Sequence, residues 1–326
     1  MVRRVAVGVS SSLDLDDVLD RTVIGSFTNI GFALRSRRWP RELPTLEGKT
    51  IVVTGSTSGL GRAAAERLAG LGARLCLVGR SEAKLETARR EIRAATANDD
   101  LAVYVADHSD VGSVRELADA LLAGEPRIDV LINNAGALFT KRSETAAGIE
   151  LTLATNLLSH FVLTNLLIPR LETSAPSGII NVSSGGMYTQ RIRVRDLQSR
   201  RGEYKGSIAY ARAKRGQVIL TELWAEQLAD RGVVVHAMHP GWADTPGVED
   251  SLPTFRRVTK PFLRTSEQGA DTIVWLAASD EASRSTGLFW LDRRPRPTHR
   301  LKSTVEAPAD RHGLRVALNA LAGTAF

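Results

Sequence analysis

The sequence has little sulphur and few aromatic residues. Among 326 residues there is one cysteine, Cys76, and aromatic side chains make up 5% of the chain. A single cysteine excludes an intramolecular disulfide, which fits a reducing compartment. Hydrophobic residues make up 43% and charged residues 24%, as is usual for a soluble globular protein. We therefore expect a chain that buries a full core without covalent cross-links.

The sequence also lacks long apolar runs. No stretch reaches the roughly 20 apolar residues that a membrane span needs. Arg3 and Arg4 precede a short apolar stretch, but that stretch runs into serines and then acidic residues, so we do not interpret it as a signal peptide. These features predict a cytoplasmic protein.

Acidic residues are too few to balance the basic ones, and the net charge is +7. Basic residues lie along the whole chain, with local clusters at 35–38, 191–201 and 293–300. A polyanion partner is one interpretation of this charge. We favour an anionic cofactor together with scattered surface arginines, and we do not expect nucleic-acid binding.

Residues 13–34 are predicted to form one helix before the main domain. Their apolar residues recur at helical spacing on one face, namely Leu15, Leu19, Val23, Phe27, Ile30 and Leu34. The favoured interpretation is a helix packed on the main domain or on a dimer partner. The alternative is an amphipathic helix that rests on a membrane surface, giving peripheral membrane contact.

From residue 49 onward, short β-rich apolar runs alternate with helical segments. This alternation predicts an α/β fold with a doubly wound parallel sheet, that is, a Rossmann fold. We expect an N-terminal helical extension and linker at 1–47, a Rossmann domain at 48–292 and a C-terminal tail at 293–326. Within the tail, 293–308 is rich in Arg and Pro and is expected to be irregular.

The first predicted strand, 50–54, runs into a glycine-rich turn and then an alanine-rich helix. The glycines Gly55, Gly59 and Gly61 allow a tight turn, so that a pyrophosphate can lie at the N-terminus of the helix. A glycine-rich turn alone is weak evidence, and the strand–turn–helix context strengthens it.

The spacing G-x-x-x-G-x-G resembles the cofactor loop of the short-chain dehydrogenase/reductase family, and the resemblance extends over about residues 48–292. It implies a nicotinamide dinucleotide cofactor, a carbonyl or alcohol substrate and an oxidoreductase activity. The loop residues expected to bind the cofactor are Gly55, Ser58, Gly59, Leu60 and Gly61. We predict no metal site.

The end of the second strand favours NADP(H) over NAD(H). An acidic residue there would hold the free ribose hydroxyl of NAD, but the sequence has Gly79 and Arg80 instead. Gly79 leaves space, and Arg80 supplies a planar cation suited to a 2′-phosphate. The alternative is that Arg80 is a solvated charge near a helix start.

Further cofactor contacts follow from the resemblance. Asp107, after the third strand, is expected to meet the adenine amino group. The element Asn133-Asn134-Ala135-Gly136 follows the fourth strand, and Asn134, Ala135 and Gly136 are assigned to the cofactor. After the sixth strand, Pro240 and Gly241 lead to Thr245, which is expected near the nicotinamide. His239 is expected to have a structural role.

Tyr210 and Lys214 lie four residues apart, so a helix places both side chains on one face. A nearby cation lowers the pKa of a phenol, which suits Tyr210 to general acid/base catalysis. The resemblance adds two residues: Ser184, which holds the substrate oxygen, and Asn156, which supports a proton relay through water. Both Tyr210 and Lys214 are also expected to contact the cofactor.

One segment near the site departs from the simplest family pattern, and the role of a second segment is open. The basic stretch 185–205 lengthens the interval between Ser184 and Tyr210, and we expect a lid or an interface there. Residues 247–264 are expected to form the loop over the substrate. Apolar residues recur in it at helical spacing, which favours a lipophilic substrate over simple core packing: Val248, Leu252, Phe255, Val258 and Phe262.

A hypothesis from a different class remains open, namely a non-enzymatic NADP-binding regulatory or scaffold protein. The presence of all four candidate catalytic residues favours the enzyme. Homo-oligomers are common in the family through its long helices, but the extensions of this chain could block that contact. Several longer strings, including 183–187 and 239–248, point to one branch of the family.

Overall fold

The fold is described from a computed structural model of the chain, which covers residues 15–40, 42–245 and 253–326. In these ranges eight strands form one sheet, in the order β3-β2-β1-β4-β5-β6-β7-β8. All neighbouring strands are parallel except the last pair. The strands are β1 (Thr50–Thr54), β2 (Arg74–Gly79), β3 (Leu101–Val105), β4 (Val130–Asn133), β5 (Ser177–Val182), β6 (Val233–Met238), β7 (Phe289–Leu291) and β8 (Arg294–Arg296).

Helices cover both faces of the sheet, which confirms the predicted doubly wound α/β architecture. They are α1 (Leu15–Asp20), α2 (Val23–Phe27), α3 (Asn29–Ser36), α4 (Gly59–Gly70), α5 (Glu82–Thr96), α6 (Val111–Gly124), α7 (Leu151–Leu153), α8 (Ser159–Thr173), α9 (Gly206–Gln227), α10 (Pro253–Thr259), α11 (Ser266–Ala278), α12 (Asp280–Ser283) and α13 (Pro308–Ala322). A π-helical turn, Ala154–Leu158, joins α7 to α8.

The core has two layers, one on each side of the sheet. Helices α6, α8 and α9 pack on one face, and α4, α5 and α11 pack on the other. Strand β1 contributes to both, because Val52 faces one layer while Ile51 and Val53 face the other. Parallel strands buried on both faces explain the nearly continuous apolar runs in the sequence.

The prediction of one helix over 13–34 is wrong for the described residues, because α1, α2 and α3 are three short helices; residues 13 and 14 lie outside the described ranges. The Thr22 hydroxyl accepts a hydrogen bond from the Gly25 N–H and so begins α2. Gly31 approaches Gly25 so closely that a Cβ there would lie 1.8 Å from the Gly25 carbonyl oxygen. The apolar stripe is therefore divided among helices that cross one another.

Residues 293–308 are not irregular throughout, because β8 pairs antiparallel with β7. Pro295 fits an edge strand, where its missing N–H removes no ladder bond. The stretch 185–205 packs against the C-terminal segment: the Tyr188 hydroxyl donates to the Pro297 carbonyl oxygen at 2.9 Å, and Arg191 pairs with Asp310.

One helical stretch of the described residues, Leu151–Thr173, is long and apolar enough to cross a membrane by length and composition. Most of it is buried inside the protein, where Phe161 and Leu163 join the core layer beside α6 and α9. This is the pattern of a core helix.

Candidate active site

A cleft of about 520 Å³ opens at the carboxyl ends of the strands. It lies where the strand order reverses between β1 and β4, the usual ligand position in a doubly wound sheet. Its volume is within the range of small-molecule sites. The cleft is lined by these predicted site residues: Gly55, Ser58, Gly59, Leu60, Gly61, Asn134, Ala135, Gly136, Ser184, Tyr210, Lys214, Pro240, Gly241 and Thr245.

The glycine loop forms the start of α4 at the cleft. Gly55 and Gly59 have φ angles of +67° and +54°, which favour glycine. A Cβ on Gly61 would lie 2.3 Å from the Gly55 carbonyl oxygen, so the loop closes tightly on the helix. Ser58 precedes the helix and makes no side-chain capping bond, so the first-turn N–H groups of α4 face a site that suits an anionic pyrophosphate.

The segment after β4 is tied to the end of β1. Thr54 Oγ1 accepts hydrogen bonds of 2.9 Å from the backbone N–H groups of both Asn134 and Ala135. The Asn134 side chain donates to the Thr54 carbonyl oxygen at 2.8 Å. These bonds close the sheet end between β1 and β4, so the two loops form one continuous wall of the cleft.

Arg80 and Asp107 lie outside the cleft lining, at the exposed ends of β2 and β3. Burial alone would raise the pKa of Asp107, but hydrogen bonds from Ser109 and the positive charge of Arg80 outweigh it and hold that pKa below its usual value. The two side chains therefore share one electrostatic environment next to the glycine loop. Gly79 packs on Thr57, which lines the cleft.

The side chains of Tyr210 and Ser184 meet in the cleft. Tyr210 lies on α9, and Ser184 follows β5, so the long helix and the strand end converge. Burial raises the pKa of Tyr210 to about 12, and a side-chain hydrogen bond with Ser184 opposes that rise only in part. The expected lowering of the phenol pKa by Lys214 is not found in the protein alone, because loss of solvent dominates.

Lys214 is fixed beneath the tyrosine. Its Nζ lies 5.5 Å from the centre of the Tyr210 ring and donates a 2.8 Å hydrogen bond to the Val182 carbonyl oxygen. The neighbouring hydroxyl of Ser183 donates to the Lys214 carbonyl oxygen at 2.9 Å. Burial lowers the pKa of Lys214 to about 7. Shifts of this size in a cleft are typical of functional groups.

Asn156 lies in the π-helical turn Ala154–Leu158, a feature often found at functional sites. Its Nδ2 donates to the Ala137 carbonyl oxygen at 2.8 Å, and its Oδ1 accepts from the Ala137 N–H at 3.1 Å. A Cβ on Gly136 would lie 2.6 Å from Asn156 Oδ1 and 3.4 Å from Lys214 Nζ. Asn156 is thus behind the cleft lining, next to Gly136 and Lys214.

His239 is buried and packs between Phe27 and Phe289, with ring centroids 5.1 and 5.4 Å away. Burial holds its pKa well below the usual value, so the ring is neutral. Its Nδ1 accepts from the Gly241 N–H at 3.3 Å. This packing is that expected for a structural role.

The expected apolar face of residues 247–264 is only partly described. Residues 247–252, which include Val248 and Leu252, and the Phe255 side chain lie outside the described part of the chain. The two described members, Val258 and Phe262, are exposed to solvent by 71% and 44% and do not line the cleft. Val258 lies on α10 and Phe262 in the turn that follows it, so the expected contact of these two with a substrate stays a prediction.

The sequence did not indicate several residues of the cleft. Trp242 is one of the lining residues, and the backbone N–H of Trp242 donates to the Phe27 carbonyl oxygen at 2.7 Å. The only available signal for Trp242 was its place within the segment 239–245. Thr189 and Ser207 also line the cleft. Among the described residues, no cluster of three His, Cys, Asp or Glu side chains could hold a metal ion.

The chain is similar to known proteins over most of its length. The family model for short chain dehydrogenases matches residues 49–254. Dehydrogenase/reductase SDR family member 12 from Homo sapiens is 40% identical over 281 residues, which cover 86% of this chain and 88% of the relative. This confirms the branch indicated by the longer strings at 183–187 and 239–248.

Two further similarities are more distant. Retinol dehydrogenase 12 from Homo sapiens is 38% identical over 249 residues, 76% of this chain and 78% of the relative. The solved active-site complex of RhlG with NADP from Pseudomonas aeruginosa has a TM-score of 0.61 and 25% identity, and the match covers 75% of this chain and 94% of that one.

Proposed function

Because the chain belongs to the short-chain dehydrogenase/reductase family, we propose that it is an NADP(H)-dependent oxidoreductase that interconverts a lipophilic carbonyl compound and its alcohol. The family's members use NAD(H) or NADP(H) and act on C=O and CH–OH groups. The observation that carries the proposal is the meeting of Ser184, Tyr210 and Lys214 in one cleft with the glycine loop.

Each catalytic side chain has a distinct part. Ser184 Oγ donates a hydrogen bond to the carbonyl oxygen and orients it. Tyr210, whose pKa is raised to about 12, is protonated at neutral pH and gives its hydroxyl proton to the same oxygen. Lys214 lies below the ring and would hold the nicotinamide ribose. Asn156 holds the Ala137 backbone and orders a water through which the tyrosine regains its proton.

The glycine loop, Asn134 and Pro240–Thr245 would hold NADP(H), which supplies the hydride when bound. The preference for NADP(H) rests on Arg80, which is exposed at the end of β2 with no carboxylate at position 79. A preference for NADP(H) favours carbonyl reduction in cells, and in that direction Tyr210 acts as the acid.

The lipophilic substrate class rests on the composition of the cleft wall beyond the cofactor loop. Leu138, Val182 and Trp242 line it, together with the glycines that follow Ser184. An apolar wall with a few convergent polar groups suits a lipophilic ligand. The similarity to a retinol dehydrogenase supports the same class.

The direct test is a screen of lipophilic aldehydes, ketones and quinones with NADPH, with NADH as the comparison. We expect turnover with NADPH on at least one lipophilic carbonyl, and slower turnover with NADH. NADPH binding without turnover on any member of the panel would favour the non-enzymatic hypothesis instead.

We further propose that the enzyme is peripheral to a membrane. Val23 and Ile24 on α2 are exposed by 56% and 59%, and Ile30 is exposed on α3. Asn29 donates to the Pro261 carbonyl oxygen at 3.0 Å, which brings the exposed Phe262 next to this face. Exposed Arg21 and Lys260 add positive charge, which suits an anionic lipid surface.

Flotation with phosphatidylcholine vesicles that contain phosphatidylserine tests this contact. We expect the wild-type chain to float, and the double variant Val23→Ser/Ile24→Ser to remain in the soluble fraction. The matched control is Val105→Ser/Val316→Ser, two valines of similar exposure elsewhere on the surface. Equal flotation of all three proteins, or of none, would contradict the proposal.

A further inference from the structure

A buried arginine joins the N-terminal helices to the loop 240–245 of the cleft. The Arg264 side chain is 1% exposed and pairs with both carboxylate oxygens of Asp292, at 2.6 and 2.9 Å. Its remaining N–H groups donate to the carbonyl oxygens of Pro240, Ser26 and Thr28, at 3.3, 3.1 and 3.2 Å. All five N–H donors of the guanidinium thus have acceptors.

The backbone of Arg264 also forms hydrogen bonds with the same loop. Its N–H donates to the Trp242 carbonyl oxygen at 2.7 Å, and its carbonyl oxygen accepts from the Asp244 N–H at 2.8 Å. Gly241 has a φ of +75°, and a Cβ there would lie 2.4 Å from Arg264 Nε. The loop conformation and the guanidinium position therefore depend on each other.

The N-terminal helices support this arrangement from behind. Phe27 packs on Trp242 at 5.7 Å, and a Cβ on Gly185 would lie 2.1 Å from the Phe27 ring. Trp242 and Gly185 both line the cleft, so Phe27 supports two of its lining residues. Arg35 joins Asp292 to α2, because its Nη1 donates to Asp292 at 2.9 Å and to the Gly25 carbonyl oxygen at 2.6 Å.

We propose that Arg264, anchored by Asp292 and the N-terminal helices, is a positioning residue that fixes loop 240–245 for the nicotinamide half of the cofactor. The proposal rests on the proposed function, because it assigns that half to this loop. The adenine half is assigned to the glycine loop and Arg80, which the Arg264 side chain does not contact. Loss of the Arg264 side chain should therefore weaken binding of the nicotinamide half of the cofactor and leave binding of the adenine half unchanged.

The test compares two ligands on the full chain: NADPH, which reaches both halves, and adenosine 2′,5′-bisphosphate, which reaches only the adenine half. We expect Arg264→Gln to weaken NADPH binding by about tenfold or more, since misplacement by about 1 Å is costly. Binding of the bisphosphate should stay within about twofold of wild type, because no charge at that end changes.

Two more variants keep the test decisive. Arg264→Lys retains a charge against Asp292 but cannot reach all the acceptors, so it should show the same split between ligands if Arg264→Gln fails to fold. The matched control is Arg74→Gln, which breaks another arginine–carboxylate pair, with buried Glu125, on β2 in the other half of the sheet. It should leave both affinities unchanged in the folded protein.

Equal weakening of both ligands in the Arg264 variants would show a general structural role and overturn the inference. Unchanged NADPH binding in a folded variant would overturn it as well. A wild-type chain that binds neither ligand would instead overturn the proposed cofactor, and the inference would fall with it.

Discussion

The Lys214 side chain donates a 2.8 Å hydrogen bond to the carbonyl oxygen of Val182. This bond ties α9 to the last residue of β5, two positions before Ser184. The end of β5 therefore positions both the lysine and the serine. Tyr210 lies one helical turn away from the lysine. The relative positions of the three groups are therefore set by the end of β5 and by α9, and not by a mobile loop.

Burial of Lys214 predicts a pH-dependent stability in the cofactor-free protein. Its pKa is lowered from 10.5 to about 7, so between these values the unfolded chain binds a proton that the folded chain does not. The free energy of unfolding should then rise with pH across this window, by up to about 1.4 kcal/mol per pH unit.

Denaturant unfolding of wild type and Lys214→Met measures this effect. The variant loses the titrating group, so the stability difference between the two proteins should shift in favour of wild type from pH 7 toward pH 10. A difference that stays constant over that range would mean that Lys214 remains charged in the folded protein.

Asn156→Asp is predicted to impair both stability and turnover. The Asn156 side chain is buried and donates to the carbonyl oxygens of Ala137 and Thr152, at 2.8 and 2.9 Å. A carboxylate would face these oxygens without a donor, which costs about 2–4 kcal/mol. Burial raises the pKa of such an aspartate, so its penalty should grow as the pH rises from 5 to 8.

Thermal unfolding at several pH values and turnover with NADPH measure these effects. Asn165→Asp is the control, because Asn165 also donates to a helical carbonyl oxygen, that of Phe161, but has no bond to Ala137, the cleft residue that Asn156 holds. It should lower stability and leave kcat nearly unchanged. Equal loss of kcat in both variants would argue against a role of Asn156 in the proton relay.

Arg80→Ala is predicted to reduce the preference for NADPH. A charge-assisted contact with a phosphate contributes about 1.5–3 kcal/mol, so KM for NADPH should rise by about tenfold or more. KM for NADH should change little, because that cofactor carries no phosphate at the 2′ position. Steady-state kinetics with both cofactors measure the shift.

The control for this change is Arg90→Ala, which removes an exposed arginine from α5 without approaching the cleft. It should leave both KM values at the wild-type level. If Arg80→Ala raised the two KM values equally, Arg80 would have a general electrostatic effect and not a phosphate contact.

The sheet and the cleft could be predicted because their signals are local. Strand β1 occupies residues 50–54 as predicted, since a buried parallel strand must be a continuous apolar run. The turn after it has a fixed glycine pattern, and the order of the motifs along the chain gives Ser184, Tyr210 and Lys214 their meaning. The structure places all three in one cleft with the glycine loop.

The N-terminal helices could not be predicted in the same way. The spacing of apolar residues over 13–34 fits one helix, and it does not report that Thr22 starts a new one or that Gly25 meets Gly31. Charged side chains of these helices pair with residues far away in the sequence. Asp16, for example, pairs with Arg296, 280 residues away. Composition and periodicity carry no information about which buried charges will meet.

Reduction by the Tyr210→Phe variant tests the central claim most directly. The substitution removes only the hydroxyl that is held beside Ser184, so NADPH binding and the fold should be retained. We predict that kcat/KM for a carbonyl substrate reduced by wild type falls by about a thousandfold, within the range expected for loss of a general acid. Turnover by a folded Tyr210→Phe protein within about threefold of wild type, a difference below 1 kcal/mol, would contradict the mechanism.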